Sequence, residues 1–246
     1  MSVYRLPKAL WFPPVEEAED GLLAVGGDLS PERLLLAYRS GIFPWFSRGE
    51  PILWWSPDPR SVVFPYEFHC SRSLAREFRR GTFEITMDLA FPEVIQGCAK
   101  AKRKHERGTW IVPAMQKAYT DMHLLGHAHS IECWQDGELA GGLYGLCLGG
   151  VFFGESMFSR VANASKVAMA VLVAHCAPWG IRLIDSQVAN AHTLSLGARE
   201  IPRGEYMQYL GRLVGQERQA GPWTIDPEVL AGLGQKAASE TTSTEL

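Results

Sequence analysis

The sequence predicts an α+β fold in which a smaller N-terminal domain precedes a larger sheet domain. Three strand-like stretches follow one another between residues 128 and 158, and Asp136-Gly137 is a typical hairpin turn between the first two. Helix-period patterns over 163–176 and 203–213 flank a short apolar run at 181–185. Strands grouped together, with helices before and after them, favour an α+β sheet domain.

The remaining elements follow from apolar periodicity, caps and turn residues. Ser30 and Pro31 are typical of a helix start, and Gly41 of its end. In chain order the patterns predict a helix over 31–41, a strand over 62–64, a basic helix over 71–80, a strand over 83–87, a helix over 91–99, a helix over 115–126, strands over 128–134, 138–148 and 151–158, a helix over 163–176, a strand over 181–185 and a helix over 203–213.

The domain organisation follows from changes in composition along the chain. Residues 1–62 are rich in tryptophan and proline and form the predicted N-terminal domain. Residues 63–235 form the sheet domain, and 236–246, which lack apolar periodicity, are expected to be a disordered tail.

Composition places the chain among ordinary globular proteins. Its 246 residues are 46% hydrophobic and 21% charged, with a net charge of -3. It contains no apolar run of about 18 residues and no secretory leader pattern. We therefore expect a cytoplasmic protein that makes no membrane contact, and we expect a monomer.

Positive charge is concentrated between Arg72 and Arg107. This stretch carries nine lysines and arginines against five aspartates and glutamates, although the whole chain is acidic. A local basic patch indicates contact with a polyanion. A solvated helix face followed by a charged loop would give the same pattern, so charge alone leaves both interpretations open.

The strongest candidates for chemistry are Glu155, Asp185 and Gln187. Glu155 follows one apolar strand, and Asp185 follows another. If these strands are parallel or adjacent, Glu155 can meet Asp185 and Gln187. Asp185 and Gln187 are two residues apart on an extended segment, so we expect both side chains on one face. A carboxylate beside an amide can orient a nucleophile, accept a proton or hold an ammonium group. Capping of neighbouring loops is the alternative role.

Other chemistry has weaker support. His123, His127 and His129 could ligate a metal, but Gly126 interrupts the helix spacing and no third ligand position is evident. Ser156 lacks the GxSxG context of a nucleophile elbow. The glycine-rich segments match neither the phosphate-binding P-loop nor the dinucleotide fingerprint. We therefore expect no metal and no cofactor.

Eight short motifs then occur in a characteristic order. They are GDLS from Gly27, GIFPWF from Gly41, WWSPDPR from Trp54, GTWI from Gly108, GHAHSIE from Gly126, GESMFS from Gly154, NASK from Asn163 and LIDSQ from Leu183. Together they closely resemble the leucyl/phenylalanyl-tRNA–protein transferase family over residues 21–210.

The resemblance implies a larger domain of the GCN5-related N-acetyltransferase type. It also implies transfer of Leu or Phe, and less readily Met, from aminoacyl-tRNA to the N-terminal Arg or Lys of an acceptor protein. In that family the product is marked for degradation. The implied partners are therefore aminoacyl-tRNA and proteins that begin with Arg or Lys.

The resemblance also implies roles for individual residues. Asp185 and Gln187 match the catalytic pair, and Glu155 and Asn190 match positions that bind the acceptor peptide. The implied aminoacyl pocket consists of Trp45, Trp110, Leu143, Phe152, Leu172 and Cys176, the last two standing where the best-known member has phenylalanines. Candidate contacts to tRNA phosphates are Arg76, Arg79, Arg80, Lys100, Lys102, Arg103 and Lys104.

Two other functions stay open at the level of sequence. A CoA-dependent N-acyltransferase would share the fold, but the chain lacks the basic, glycine-rich run between strand and helix that would cradle a pyrophosphate. A non-catalytic tRNA-binding module would need neither Asp185 nor Gln187.

Overall fold

A computed structural model of the chain describes residues 3–68, 70–101, 109–217 and 221–239. These residues form a four-stranded sheet near the N-terminus, a seven-stranded sheet and eight α-helices. The mixture of a largely antiparallel sheet with flanking helices confirms the predicted α+β class.

The N-terminal sheet is small and rich in aromatic side chains. Its strands are β1 (Tyr4–Leu6), β2 (Leu22–Gly26), β3 (Phe43–Pro44) and β4 (Leu53–Trp55), in the spatial order β1-β2-β4-β3. Helix α1 (Pro31–Arg39) starts after Ser30, as predicted, and buries Leu34 and Tyr38.

The seven-stranded sheet has a single parallel pair. Its strands are β5 (Arg60–Val63), β6 (Glu84–Met87), β7 (Ala128–Gln135), β8 (Glu138–Leu148), β9 (Val151–Ser159), β10 (Leu183–Gln187) and β11 (Arg199–Ile201), in the order β11-β5-β10-β9-β8-β7-β6. Strands β9 and β10 run parallel, and every other neighbouring pair is antiparallel. The predicted hairpin turn at Asp136-Gly137 joins β7 to β8.

Strand β5 begins at Arg60, so the predicted domain boundary after residue 62 falls inside a strand. Residues 60–63 pair with β10 on one side and with β11 on the other. The strand joins the large sheet because all four of its residues are buried there, including the charged Arg60.

The large sheet separates two apolar cores, because successive side chains of a strand point to opposite faces. Val62, Phe153 and Leu183 belong to the first core. Their chain neighbours Val63, Phe152 and Ile184 belong to the second. The remaining helices are α2 (Arg72–Arg80), α3 (Phe91–Lys100), α4 (Pro113–Leu124), α5 (Ala164–Cys176), α6 (Ala191–Ser195), α7 (Arg203–Leu213) and α8 (Pro227–Ser239).

Helices α1, α3, α4 and α7 contribute to the first core, and α2, α5 and α8 to the second. Helix α8 reaches Ser239, within the segment predicted as a disordered tail, because its Leu230 and Leu233 pack against the second core. Residues 240–246 of that tail lie outside the described residues. None of the helices in the described ranges is long and apolar enough to span a membrane.

Gly145, on β8, has no room for a side chain. A Cβ there would overlap the carbonyl oxygen of Phe153 and lie 2.6 Å from Cζ of Phe152. We expect Gly145→Ala to lower the free energy of unfolding by about 1–3 kcal/mol, because the overlapping backbone cannot move without distorting the sheet.

Urea denaturation would measure this loss, with Gly154→Ala as the matched control. A Cβ at Gly154 would find its nearest neighbour at an ordinary 3.7 Å. If both substitutions lowered the free energy of unfolding equally, the close contact between strands at Gly145 would not be what excludes a side chain there.

Candidate active site

A cavity of about 490 Å³ lies where β9 and β10 part, and most of its apolar lining residues belong to the second core. Its volume is in the range of small-molecule sites. The lining is apolar at one end and polar at the other. The lining residues are Trp45, Val63, Trp110, Leu143, Tyr144, Phe152, Gly154, Glu155, Ser156, Met157, Met169, Leu172, Ile184, Ser186, Gln187, Val188, Ala189, Asn190, His192, Thr193 and Leu196.

The apolar end is built by the sheet and by α5. Leu143 and Phe152 come from adjacent strands, and Met169 and Leu172 come from α5. All four side chains are at least 96% buried, so the wall consists of residues locked by packing. A rigid apolar surface of this kind can select a ligand by shape.

Trp45 and Trp110 line both the main cavity and a smaller one of about 110 Å³. Trp45 remains 39% exposed, and its ring lies 5.7 Å from that of Trp55. The two cavities share Glu155 and Gln187. The tryptophans therefore border two approaches to the same polar groups.

Five of the six residues expected in the aminoacyl pocket line the main cavity, and Cys176 does not. Cys176 lies one turn beyond Leu172, at the end of α5, and its side chain is fully buried in the second core. Its backbone carbonyl accepts a hydrogen bond from Ile181, where the chain turns towards β10. Met169, one turn before Leu172, is the helix residue that sequence reasoning missed.

Glu155 and Gln187 meet because the parallel strands stop pairing just before them. The last paired residues are Phe153 and Asp185, and each polar side chain follows two positions later. Nε2 of Gln187 donates to Oε1 of Glu155 at 3.4 Å. The expectation that Glu155 could approach the Asp185–Gln187 segment is therefore confirmed.

Two tyrosines hold the other side of the Glu155 carboxylate. Tyr38 of α1 donates to Oε1 at 2.7 Å, and Tyr119 of α4 donates to Oε2 at 2.9 Å. The two hydroxyl oxygens are also in contact with each other, and because each hydroxyl has a single proton, only two of the three contacts are hydrogen bonds at one time while Glu155 is ionised. Burial raises the pKa of Glu155 to about 7, although both tyrosine hydrogen bonds act to lower it. This carboxyl group therefore changes charge near neutral pH.

Asp185 has a different environment from Glu155. Its two oxygens accept from Nε and Nη2 of Arg60, at 2.9 and 2.7 Å, and neither side chain is exposed. Tyr206 also donates to Asp185, at 2.8 Å. Burial would lower the pKa of the Arg60 guanidinium, but the Asp185 carboxylate outweighs it and the pKa is raised. The pair is a fixed, bidentate ion pair.

The expectation that Asp185 and Gln187 share one face is wrong. The strand register shifts between them, and Gln187 has a φ of +57°, in the left-handed region. Asp185 keeps the orientation of Leu183, towards the first core, while Gln187 turns into the cavity on the other face. They remain linked because the Gln187 amide N–H donates to Oδ1 of Asp185 at 2.9 Å.

Asn190 lines the cavity as the cap of α6. Its side-chain oxygen accepts from the backbone N–H groups of His192 and Thr193, at 2.9 and 3.0 Å. The backbone N–H of Asn190 donates in turn to Oγ1 of Thr193 at 3.1 Å, which completes a capping box. Asn190 therefore fixes the rim of the cavity.

The basic residues of α2 lie on its solvent face. Arg76, Arg79 and Arg80 are exposed, whereas Leu74 packs inwards. Lys100 is also exposed and donates to Gln96 at 3.0 Å. The other predicted phosphate contacts, Lys102, Arg103 and Lys104, lie outside the described residues.

Two of the three histidines considered as metal ligands, His123 and His129, have other partners. His123 contacts the carbonyl of Ala128, and His129 contacts Asp88, each through Nδ1 at 2.8 Å. Within the part of the chain that the structure describes, no three His, Cys, Asp or Glu side chains are grouped to hold a metal ion.

Comparison with known proteins gives the site its context. A family model described as leucyl/phenylalanyl-tRNA protein transferase matches residues 62–211, and the model of its N-terminal domain matches residues 27–58. The chain belongs to this transferase family. A leucyl/phenylalanyl-tRNA–protein transferase of Syntrophotalea carbinolica is 56% identical over 93% of this chain and 97% of its own. One of an Anaeromyxobacter strain is 55% identical over 92% and 97%.

As a member of the leucyl/phenylalanyl-tRNA–protein transferase family, the chain is an aminoacyltransferase, and the family name implies aminoacyl-tRNA as its substrate. Sequence reasoning missed the polar groups that surround the two carboxylates: Tyr38, Arg60, Tyr119 and Tyr206. Arg60 is the last residue of the WWSPDPR motif, so the motif could have identified it as a candidate site residue. The tyrosines lie on amphipathic helices, where they have the same pattern as ordinary core residues.

The Arg60–Asp185 pair makes the stability of this transferase sensitive to Asp185. We expect Asp185→Asn to cost about 3–5 kcal/mol of unfolding free energy, because the buried guanidinium loses its compensating charge. Urea denaturation measures the loss.

Asp121→Asn is the matched control, since Asp121 pairs with Lys117 at the surface and both side chains are at least 40% exposed. The control should cost less than about 0.5 kcal/mol. A small loss at Asp185 would mean that the ion pair is dispensable for folding.

Proposed function

We propose that the protein transfers Leu or Phe, and less readily Met, from aminoacyl-tRNA to the N-terminal Arg or Lys of acceptor proteins in the cytoplasm. The new peptide bond marks the acceptor for N-degron degradation. One observation carries this proposal: a single cavity joins a rigid apolar wall to the Glu155–Gln187 pair. Such a cavity can hold an apolar aminoacyl group and a cationic acceptor next to each other.

The apolar wall accounts for the donor. Burying a Leu or Phe side chain is worth roughly 1.5–3 kcal/mol. Leu143, Phe152 and Leu172 supply the surface, and Met169 adds a thioether that adapts to different shapes. An apolar pocket discriminates methylene-sized differences by about 1–3 kcal/mol. A preference for Leu and Phe over smaller residues follows.

Glu155 accounts for the cationic acceptor. When ionised, its carboxylate can pair with the guanidinium or ammonium group of an N-terminal Arg or Lys through charge-assisted hydrogen bonds. Tyr38 and Tyr119 hold it in place. Asn190, on the cavity rim, supports the acceptor backbone.

Gln187 and Asp185 act on the α-amine. Because Nε2 of Gln187 donates to Glu155, its carbonyl oxygen accepts from the amine and orients the lone pair at the ester carbon. The nitrogen–carbon bond forms, the bond to the tRNA ribose oxygen breaks, and that oxygen takes the proton released by the amine. Asp185 acts as an organiser through the Gln187 backbone N–H. The ester is already activated, so positioning supplies much of the rate and no cofactor is consumed.

The exposed arginines of α2 bind phosphates of the tRNA acceptor stem, together with Lys100 and the basic loop after it. Contacts of this type are insensitive to sequence and weaken with salt.

The larger domain is of the GCN5-related N-acetyltransferase type, and the protein acts as a monomer. The one parallel strand pair within an otherwise antiparallel sheet supports this assignment, because the cavity opens where that pair parts.

The proposal is tested by supplying Leu-tRNA or Phe-tRNA with a peptide that begins with Arg, and measuring labelled product. We expect transfer from either tRNA. Failure with both, together with acetylation of the peptide from acetyl-CoA, would favour the CoA-dependent alternative. Binding of tRNA without any transfer would favour a non-catalytic module.

Glu155→Gln should reduce kcat/KM for an Arg-initiated peptide by roughly tenfold to a hundredfold at pH 8, the worth of a hydrogen bond to a charged group. Dissociation of tRNA should be unaffected. In the unmodified protein, kcat/KM should fall as the pH drops through about 7, because Glu155 becomes neutral. In Glu155→Gln, the pH dependence of kcat/KM should show only the ionisation of the peptide's α-amine, near pH 7.7–8.0.

Glu16→Gln is the control, because Glu16 is exposed and lies near the N-terminus. It should leave both kcat/KM and its pH profile unchanged. Equal losses in peptide and tRNA binding in Glu155→Gln would refute the acceptor role.

Replacing Arg76, Arg79 and Arg80 together with alanine should flatten the salt dependence of tRNA binding. Each lost phosphate contact reduces the slope of log K against log salt by about 0.7–0.9, so a reduction of roughly 2–3 is expected. Filter binding over a range of salt concentrations measures it.

The control replaces three exposed arginines elsewhere, Arg5, Arg182 and Arg212. An unchanged slope in the α2 variant, or the same change in both, would place the tRNA on another surface.

A further inference from the structure

Residues 221–233 pack behind the aminoacyl cavity, outside the region that the family models match. Their central side chain is Trp223, which is only 7% exposed. Its ring stacks on His129 at 4.0 Å and 6°, and lies 4.5 Å from the ring of Trp179 and 5.7 Å from that of Phe152. Trp223 thus occupies a pocket of aromatic rings in the second core.

Two backbone hydrogen bonds fix this segment. The N–H of Trp223 donates to Oδ2 of Asp88 at 2.6 Å. The N–H of Asp226 donates to Nε2 of His175 at 3.1 Å, and Nδ1 of His175 contacts the carbonyl of Val171 at 2.8 Å. Burial lowers the pKa of His175, which favours the neutral ring that this arrangement requires. The position of Trp223 is therefore set by more than its own packing.

The segment around Trp223 is connected to both walls of the cavity. Phe152 is a lining residue on β9. His175 lies on α5, one turn beyond the lining residue Leu172, and Trp179 follows the end of the same helix. Trp223 contacts one wall directly through Phe152, and the Asp226–His175 hydrogen bond ties its segment to the helix that forms the other wall.

We propose that Trp223 is a positioning residue that sets the width of the aminoacyl pocket. It does so by holding Phe152 in place opposite α5, without touching the substrate. This rests on the proposed function only in that the cavity receives the amino-acid side chain.

The expected effect follows from packing. Interiors are close to fully packed, so Phe152 has little room to move while Trp223 is present. Truncation of Trp223 leaves a void on the side of Phe152 that faces away from the cavity, and neighbouring side chains relax partly into such voids. The pocket widens, and the larger Phe side chain benefits more than Leu.

The test compares Trp223→Ala and Trp223→Phe with the unmodified full chain. Leu-tRNA and Phe-tRNA compete for one Arg-initiated peptide, and the ratio of kcat/KM for Phe to that for Leu is measured. We expect the ratio to rise at least threefold in Trp223→Ala. In Trp223→Phe it should lie close to the value of the unmodified chain. KM for the peptide should change less than twofold, because Glu155 lies at the other end of the cavity.

Trp11→Ala is the matched control, since Trp11 is 44% exposed and lies in the N-terminal segment. Its ratio should equal that of the unmodified chain. If Trp223→Ala does not fold, as judged by circular dichroism, Trp223→Leu takes its place with the same expectation.

If a folded variant has an unchanged ratio, with kcat/KM for Leu and for Phe lowered equally, Trp223 has only a structural role and the proposal is overturned. Failure of the unmodified chain to transfer either amino acid would instead contradict the proposed function. The two failures are therefore distinguishable.

Discussion

The buried ion pair between Arg60 and Asp185 is the interaction on which the site depends. Two charges without solvent are costly unless every polar atom is matched. Here the bonding is bidentate, and the guanidinium lies between the rings of Phe43 and Tyr206, at 4.9 and 4.6 Å. Its remaining nitrogen donates to the carbonyl of Gly41 at 3.1 Å. The pair therefore joins the N-terminal domain, two strands of the large sheet and α7.

The same pair explains how Gln187 can hold an unfavourable backbone conformation. A positive φ costs a non-glycine residue on the order of 1–3 kcal/mol and persists only where the surroundings enforce it. Asp185 accepts from the Gln187 N–H and is itself immobilised by Arg60. The two carboxylates of the site thus differ in kind: one is neutralised by a fixed cation, whereas Glu155 is held by hydroxyl groups and has a pKa of about 7.

Sequence reasoning succeeded where a regular pattern carries the information. The Asp136-Gly137 turn fixed a hairpin, and the apolar runs before Glu155 and Asp185 indicated neighbouring strands, so that Glu155 and Gln187 were expected to lie near each other. It failed where geometry departs from the pattern. The left-handed conformation of Gln187 reverses the face that alternation predicts, and nothing in the residue type signals it. Tyr38 and Tyr119 are 81 residues apart, and only the tertiary fold brings their hydroxyls to Glu155.

The division of the large sheet into two faces has a consequence for catalysis. The first core supplies the parts that hold charge: Arg60, Asp185, and the tyrosines around Glu155. The second supplies the apolar wall, through Phe152, Leu172 and their neighbours. Residues of both faces line one cavity where β9 and β10 part. Because Phe152 and Leu172 belong to one core and Arg60 and Asp185 make their contacts on the other face, a substitution in the apolar wall leaves the contacts of the ion pair in place.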